Sequence, residues 1–159
     1  MFEGVCAPTV AAVQAADPST LAGALFRVSG DALGAMSADE AECVIAATQR
    51  AINALTARQS AALTRFTEHV LDTRDAQRAA RQATAAPAPV GQPSPGQEAA
   101  ASLAPILRVA PRTMATRIHT AQTLAGLPRT AAMAWAGDLE SYRASVITRA
   151  ARQVGHEQL

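Results

Sequence analysis

The chain has 159 residues, of which 49% are hydrophobic and only 3% aromatic, with a formal net charge of +1. That length supports one domain or one and a half small ones. Alanine supplies much of the hydrophobic fraction and buries little area per residue, so thin helix-on-helix interfaces are expected rather than a large core. The near-zero net charge excludes a polyanion partner recognised by the chain as a whole. No window alternates Val, Ile, Thr and aromatic residues, so the expected fold class is all-α: a long N-terminal helix plus a small helical unit containing a helix-turn-helix-like pair.

Residues 1–36 are weakly patterned. Asp17-Pro18-Ser19-Thr20 reads as a helix start, with Asp17 as N-cap and Pro18 at the first helical position. The run to Val28 fits one short amphipathic helix, and Gly30 and Gly34 then loosen the chain. Ser37-Ala38-Asp39-Glu40 is a capping box, because the Ser37 hydroxyl can accept from the Glu40 amide while the Glu40 carboxylate accepts from the Ser37 amide. It opens a helix over 37–83, about 45 residues and about 68 Å long at 1.5 Å per residue. Ala41, Ile45, Thr48, Ile52, Leu55, Gln59, Ala62 and Phe66 follow a three-four spacing and are expected to form its apolar stripe, with Val44, Leu63 and Val70 beside it. Arg74, Arg78 and Arg81 sit late, where cations favour the helix dipole. Such a helix packs in a bundle, pairs in a coiled-coil-like seam, which Thr48 and Gln59 would make imperfect, or spans two lobes.

Residues 84–97 hold four prolines and two glycines and read as a linker. The remaining unit, 98–159, begins with Ser102 capping a helix through Leu107, followed by a turn at Arg108-Val109-Ala110. Pro111 starts a second helix that Gly126 ends. Met114, Ala115, Ile118, Ala121, Gln122 and Ala125 share one of its faces. Pro128 opens a short helix through Trp135, Gly137 closes it, and Asp138 caps a last helix whose apolar face is Leu139, Tyr142, Val146, Ala150 and Val154. Met133, Trp135 and Tyr142 are the largest core candidates there.

Helix, tight turn and proline-opened helix form the outline of a helix-turn-helix, a shape that often docks on DNA. In such docking Arg112, Thr113, Thr116 and Arg117 are the exposed residues near the start of the second helix, and Arg108 and Arg129 would contact phosphates. The residue code is loose: the turn glycine usual in this motif would fall near Arg108. Residues 1–97 carry seven arginines against nine acids, whereas 98–159 carry seven against four. All fourteen basic residues are arginine, which suits bidentate phosphate and guanine contacts but also follows from GC-rich coding.

No catalytic residue, metal ligand set or cofactor motif emerges. His69, His119 and His156 are isolated, Ser102 and Ser141 lack a paired histidine and acid, and capping explains Asp138 and Glu140. There is no glycine-rich phosphate loop. Cys6 and Cys43 follow no metal or redox spacing and read as reduced residues of a cytoplasmic protein. Glu3 and the absence of a basic start argue against a secretory signal, and no apolar run approaches the roughly 20 residues needed to span a bilayer.

The run Leu107-Arg108-Val109-Ala110-Pro111-Arg112-Thr113-Met114-Ala115-Thr116-Arg117-Ile118 is similar to the 13E12 repeat family. So are Ala121, Leu124, Leu127-Pro128-Arg129-Thr130, Ala136-Gly137-Asp138-Leu139-Glu140 and Tyr142-Arg143-Ala144. Ala41-Glu42, Thr48-Gln49-Arg50 and Ala57-Arg58-Gln59 fit the same family's N-terminal helix. The resemblance covers roughly 38–152 apart from the linker. This is domain-of-unknown-function family 222, found in mycobacteria and related actinobacteria and commonly N-terminal to an HNH endonuclease domain. It implies a helical, DNA-positioning module placed before a metal-dependent nuclease, and it carries over no catalytic residues. The chain has one asparagine, Asn53, and no paired histidines, and beside the family it looks truncated. Three readings follow: a non-catalytic module that brings a linked or lost HNH nuclease to double-stranded DNA, a helical interaction module self-associating through the long helix, or the front of an intact HNH endonuclease.

Overall fold

A computed structural model describes residues 10–84 and 91–154, and among these every regular element is helical. In chain order they are α1 (Val10–Ala15), α2 (Pro18–Leu25), α3 (Gly30–Gly34), α4 (Ala38–Ala83), α5 (Pro95–Ile106), α6 (Pro111–Ala125), α7 (Pro128–Trp135) and α8 (Ser141–Val154). The fold is all-α with one long helix. No helix among the described residues is long and apolar enough to cross a membrane. Two compact units are present, one drawing on residues up to Arg58 together with Arg129–Ala144, the other on Gln59–Pro128 together with residues from Ser145 on. Cys6, His156 and residues 85–90 of the expected linker lie outside the described residues.

The helix starts follow the capping chemistry. The Asp17 carboxylate accepts from the amides of Ser19 and Thr20, and Pro18 opens α2 behind it. At the head of α4 the Glu40 carboxylate accepts from the Ser37 amide at 2.8 Å, and the Ser37 hydroxyl accepts from the Glu40 amide at 3.3 Å. The Ser37 amide, with the Ser37 hydroxyl second, holds the Glu40 carboxyl below its ordinary value of 4.5. Once begun, α4 has no internal breaker. Thr48, Thr56, Thr64, Thr67 and Thr73 each donate their hydroxyl to the carbonyl four residues back, which satisfies them within the helix and lets Thr67 be buried. Gly30 and Gly34, rather than loosening the chain, lie in the single turn of α3, whose Ala32 amide donates to the Ser29 hydroxyl.

The buried side of α4 is not the expected stripe. In the first unit Cys43, Ala47, Ala51, Ala54 and Ala57 are buried, while Ile45, Ile52 and Leu55 are at least half exposed. Spacing alone permits either face; the small residues win because they let neighbouring backbone approach closely. Val13, Cys43 and Ala47 form the local core, with Leu21, Leu25 and Ala46 against it.

A polar clamp completes this unit. Arg50, its side chain mostly buried, donates from Nε to the Ala136 carbonyl at 2.9 Å and from one terminal nitrogen to the carbonyls of Val13, at 2.8 Å, and Gln14. It thus caps the C-terminal ends of both α7 and α1, where the helix dipole favours a cation. Asn53 donates to the Gly137 carbonyl at 3.0 Å and accepts from Gln49 at 2.9 Å, and Asp138 stands 3.4 Å from Arg50. The end of α7 is a Schellman turn, with Gly137 donating to Ala134 and Asp138 to Met133. Gly137 has φ +80°, and a Cβ there would stand 2.5 Å from the Arg50 carbonyl oxygen. No other residue type meets both constraints.

Met133, Trp135 and Tyr142 are exposed, against expectation. The Trp135 ring lies at the surface with the Arg58 guanidinium 5.1 Å from its centroid, a cation–π pairing that needs no enclosure. In α8 the buried positions are Ala144 and Thr148 rather than Tyr142, Val146 and Val154; the Thr148 hydroxyl is satisfied by the Ser145 carbonyl.

In the second unit Leu63 of α4 packs with Ala99, Ala100 and Ala104 of α5 and with Met114, Ile118 and Ala121 of α6, flanked by Phe66, Val70 and Leu103. Helix α5 begins at Pro95, not near Ser102. Ser94 caps it, accepting from the Gln97 amide while Gln97 accepts from the Ser94 amide, and this second capping box shortens the expected linker. Pro105 therefore sits one residue before the helix end, where its missing amide removes a single bond. Arg74 of α4 meets Glu98 in the first turn of α5 at 2.7 Å.

Two outcomes follow. Arg50→Ala leaves three helix-end carbonyls without their charged donor and is expected to cost about 3 kcal/mol in urea unfolding. Gly137→Ala, which meets the Arg50 backbone, should cost about 2 kcal/mol or more; a Gly137→Ala midpoint equal to the parent's would contradict the close approach. Separately, the depressed Glu40 pKa means its cap is fully stabilising above 4.5 and is lost as pH falls through the lower folded value. Thermal melts from about pH 6 to about pH 3 should show a shallower decline for Glu40→Ala than for the parent chain.

Candidate nucleic-acid interface

The turn between α5 and α6 is built by backbone hydrogen bonds. Arg108 donates to the Pro105 carbonyl at 3.2 Å and Val109 to the Ala104 carbonyl at 3.0 Å, the two bonds of a Schellman motif. Arg108 occupies the left-handed position with φ +52°, the one non-glycine residue with positive φ among the described residues. This is where the sequence predicts that a turn glycine would fall, and the two constraints coincide. The side chains of Val109 and Ala104 close the motif on the apolar cluster.

Ala110 precedes α6 with extended dihedrals and offers no side-chain acceptor, while Pro111 supplies the preset first residue. No acid lies in the first turn. The positive end of the α6 dipole is therefore left without a carboxylate, and Arg112 and Arg117 add to it. Met114, Ile118, Ala121 and Leu124 are buried, which turns Arg112, Thr113, Thr116 and Arg117 to solvent. Arg112 and Thr116, and likewise Thr113 and Arg117, are four residues apart, so each pair stacks along the exposed side of the helix. The Thr116 hydroxyl donates to the Arg112 carbonyl at 3.0 Å.

Five of the six sequence candidates, Arg108, Arg112, Thr113, Thr116 and Arg117, thus fall on one turn and the helix that follows it, all exposed and all within the second unit. The sixth, Arg129, is exposed at the start of α7 and belongs to the first unit. The arginines divide by their partners. Arg65, Arg74 and Arg78 meet Glu68, Glu98 and Asp75 at 3.1, 2.7 and 3.2 Å. Arg108, Arg112, Arg117 and Arg129 form no ion pair among the described residues. An arginine without a carboxylate keeps its full fork of donors for another oxyanion.

Sequence reasoning missed the open groove of about 400 Å³ beside α6, lined by Glu68 and Leu71 of α4, Ser94 and Gln97 at the head of α5, and Ile118 and His119 of α6. The Ser94-Pro95-Gly96-Gln97 capping box was the signal for it, since the groove exists only because α5 starts there. Among the described residues no group of three or more His, Cys, Asp or Glu side chains converges as a metal site. No protein family, curated protein or solved structure matches this chain.

Arg108 carries a strained backbone that glycine would adopt freely. Arg108→Gly is expected to raise stability by roughly 0.5–1 kcal/mol in a urea or thermal melt. A loss of stability would show that the side chain itself supports the turn.

Proposed function

We propose that this chain is a non-catalytic, 13E12-like helical module that docks on double-stranded DNA through α6 and so positions a linked or lost HNH nuclease. It would act in the cytoplasm. The observation that supports the reading best is the exposed, carboxylate-free strip of Arg112, Thr113, Thr116 and Arg117 at the uncapped head of a helix that follows a tight turn. The arginines and threonines reach base edges or phosphates from the major groove, and Arg108, in the turn, reaches a backbone phosphate. Catalysis, in this reading, belongs to the nuclease and not to any residue of this chain.

A second reading, a helical interaction module without a nucleic-acid role, draws on a different observation: Ile45, Ile52 and Leu55 stand exposed on α4. The two separate by salt. Anisotropy of a labelled duplex with the full chain should show binding at low salt that weakens roughly 40-fold between 50 and 200 mM for three phosphate contacts. Arg112→Ala with Arg117→Ala should lower affinity by roughly tenfold or more and reduce the salt slope by about two. Arg149→Ala, on α8, should leave both unchanged. Absence of binding at low salt overturns the DNA reading.

A further inference from the structure

The apolar face of the first unit is a feature that the DNA reading leaves unused. Thr48, Ile52 and Leu55 of α4, with Phe26 and Leu33 from the α2–α3 segment, line an open groove of about 320 Å³, and Ile45 continues the α4 row. Phe26 is 89% exposed and Ile45 69%. Among the described residues no charged side chain lines the groove. The large side chains together present on the order of 500 Å² of apolar surface, at the upper end of what a monomer ordinarily shows water.

We propose that a second copy of this chain covers this face, the two α4 rows packing antiparallel about a two-fold axis. Ile45, Thr48, Ile52 and Leu55 repeat at three, four and three residues, the spacing of a helix seam whose natural complement is a helix of the same period. A two-fold centred near Arg50 sets Ile45 against Leu55 of the partner subunit and Thr48 against Ile52 of the partner subunit. Ile45 and Leu55 then meet on both sides of the axis, Ile52 packs on Thr48, and none of these four positions carries a charge. The pair buries about 1,000 Å² in all, the lower edge of specific association, so the dimer forms in the micromolar range. A lipid surface is a poorer occupant. Asp39, Glu40 and Glu42 lie at the head of the same helix, against the single Arg27 beside Phe26, whose Nε donates to the Gly23 carbonyl, and Arg50 is spent on helix-end carbonyls. Anionic membranes attract helices with the opposite balance.

Sedimentation equilibrium of the full chain from about 1 to about 200 µM tests the proposal. The expected result is a monomer–dimer equilibrium that high salt leaves intact, weakened roughly tenfold or more by Ile45→Glu with Ile52→Glu. Both positions are exposed on a helix, so circular dichroism and the thermal midpoint of that variant should match the parent's. Leu71→Glu, exposed further along α4 in the other unit, should dimerise like the parent. A monomer throughout the range overturns the proposal, as does a dimer indifferent to Ile45→Glu and Ile52→Glu. Binding of the monomeric chain to phosphatidylcholine–phosphatidylserine vesicles, lost in that double variant, would assign the face to lipid and also overturn it.

Discussion

One guanidinium holds the first unit in register. Arg50 reaches the carbonyl ends of α1 and α7 from the side of α4, so three helices meet at a single, mostly buried cation. The apolar core there is small, with Val13, Cys43 and Ala47 at its centre, and alanine contributes little area. Dispersion and burial alone would define the packing loosely. Directional bonds from Arg50 and Asn53 to Ala136 and Gly137 fix where α7 must end, and that end in turn demands a residue without a Cβ at 137. Glycine in the turn and arginine on the helix form one constraint seen from two elements.

Much of the architecture was legible because it is written in local chemistry. Asp17-Pro18, Ser37 with Glu40, and Pro111 each mark a helix start that depends on neighbouring residues only. The choice of face was not legible. Three-four spacing in α4 fits Ile45, Ile52 and Leu55 and equally Cys43, Ala47, Ala51 and Ala54; hydropathy favours the larger set, and close backbone approach selects the smaller. Trp135 and Tyr142 misled for the same reason, since size was read as a mark of the interior. Ser94 was overlooked because prolines and glycines around it resemble a linker, although Pro95 at the first helical position and Gln97 at the third form a helix start. The turn and the exposed strip of the candidate interface follow from sequence spacing, whereas the grouping that leaves Arg129 in the other unit is a long-range matter that no local pattern contains.

The arginines illustrate how one residue type takes several roles on one chain. Arg50 is consumed by carbonyls, Arg58 by the Trp135 ring, and Arg65, Arg74 and Arg78 by carboxylates. Those of the α5–α6 turn and the α6 strip have no such neighbours among the described residues, in a stretch where no acid follows Glu98 until Asp138. Composition gives all of them equal standing. Only their surroundings distinguish a structural cation from one whose donors remain available, and a net charge near zero conceals that distinction completely.

The alanine seam of α4 has an evolutionary consequence. In an ordinary core, truncation opens cavities and is the common route to damage. Along Ala47, Ala51, Ala54 and Ala57 only a methyl is left to truncate, and added methylenes overpack buried positions. Drift on this helix is therefore biased by face: the buried side admits almost no enlargement, while the Ile45–Leu55 side can shrink or turn polar without unfolding the chain. A lineage that lost its partner would erode first at the isoleucines and keep its alanines, leaving a helix that still folds but no longer records what it once met.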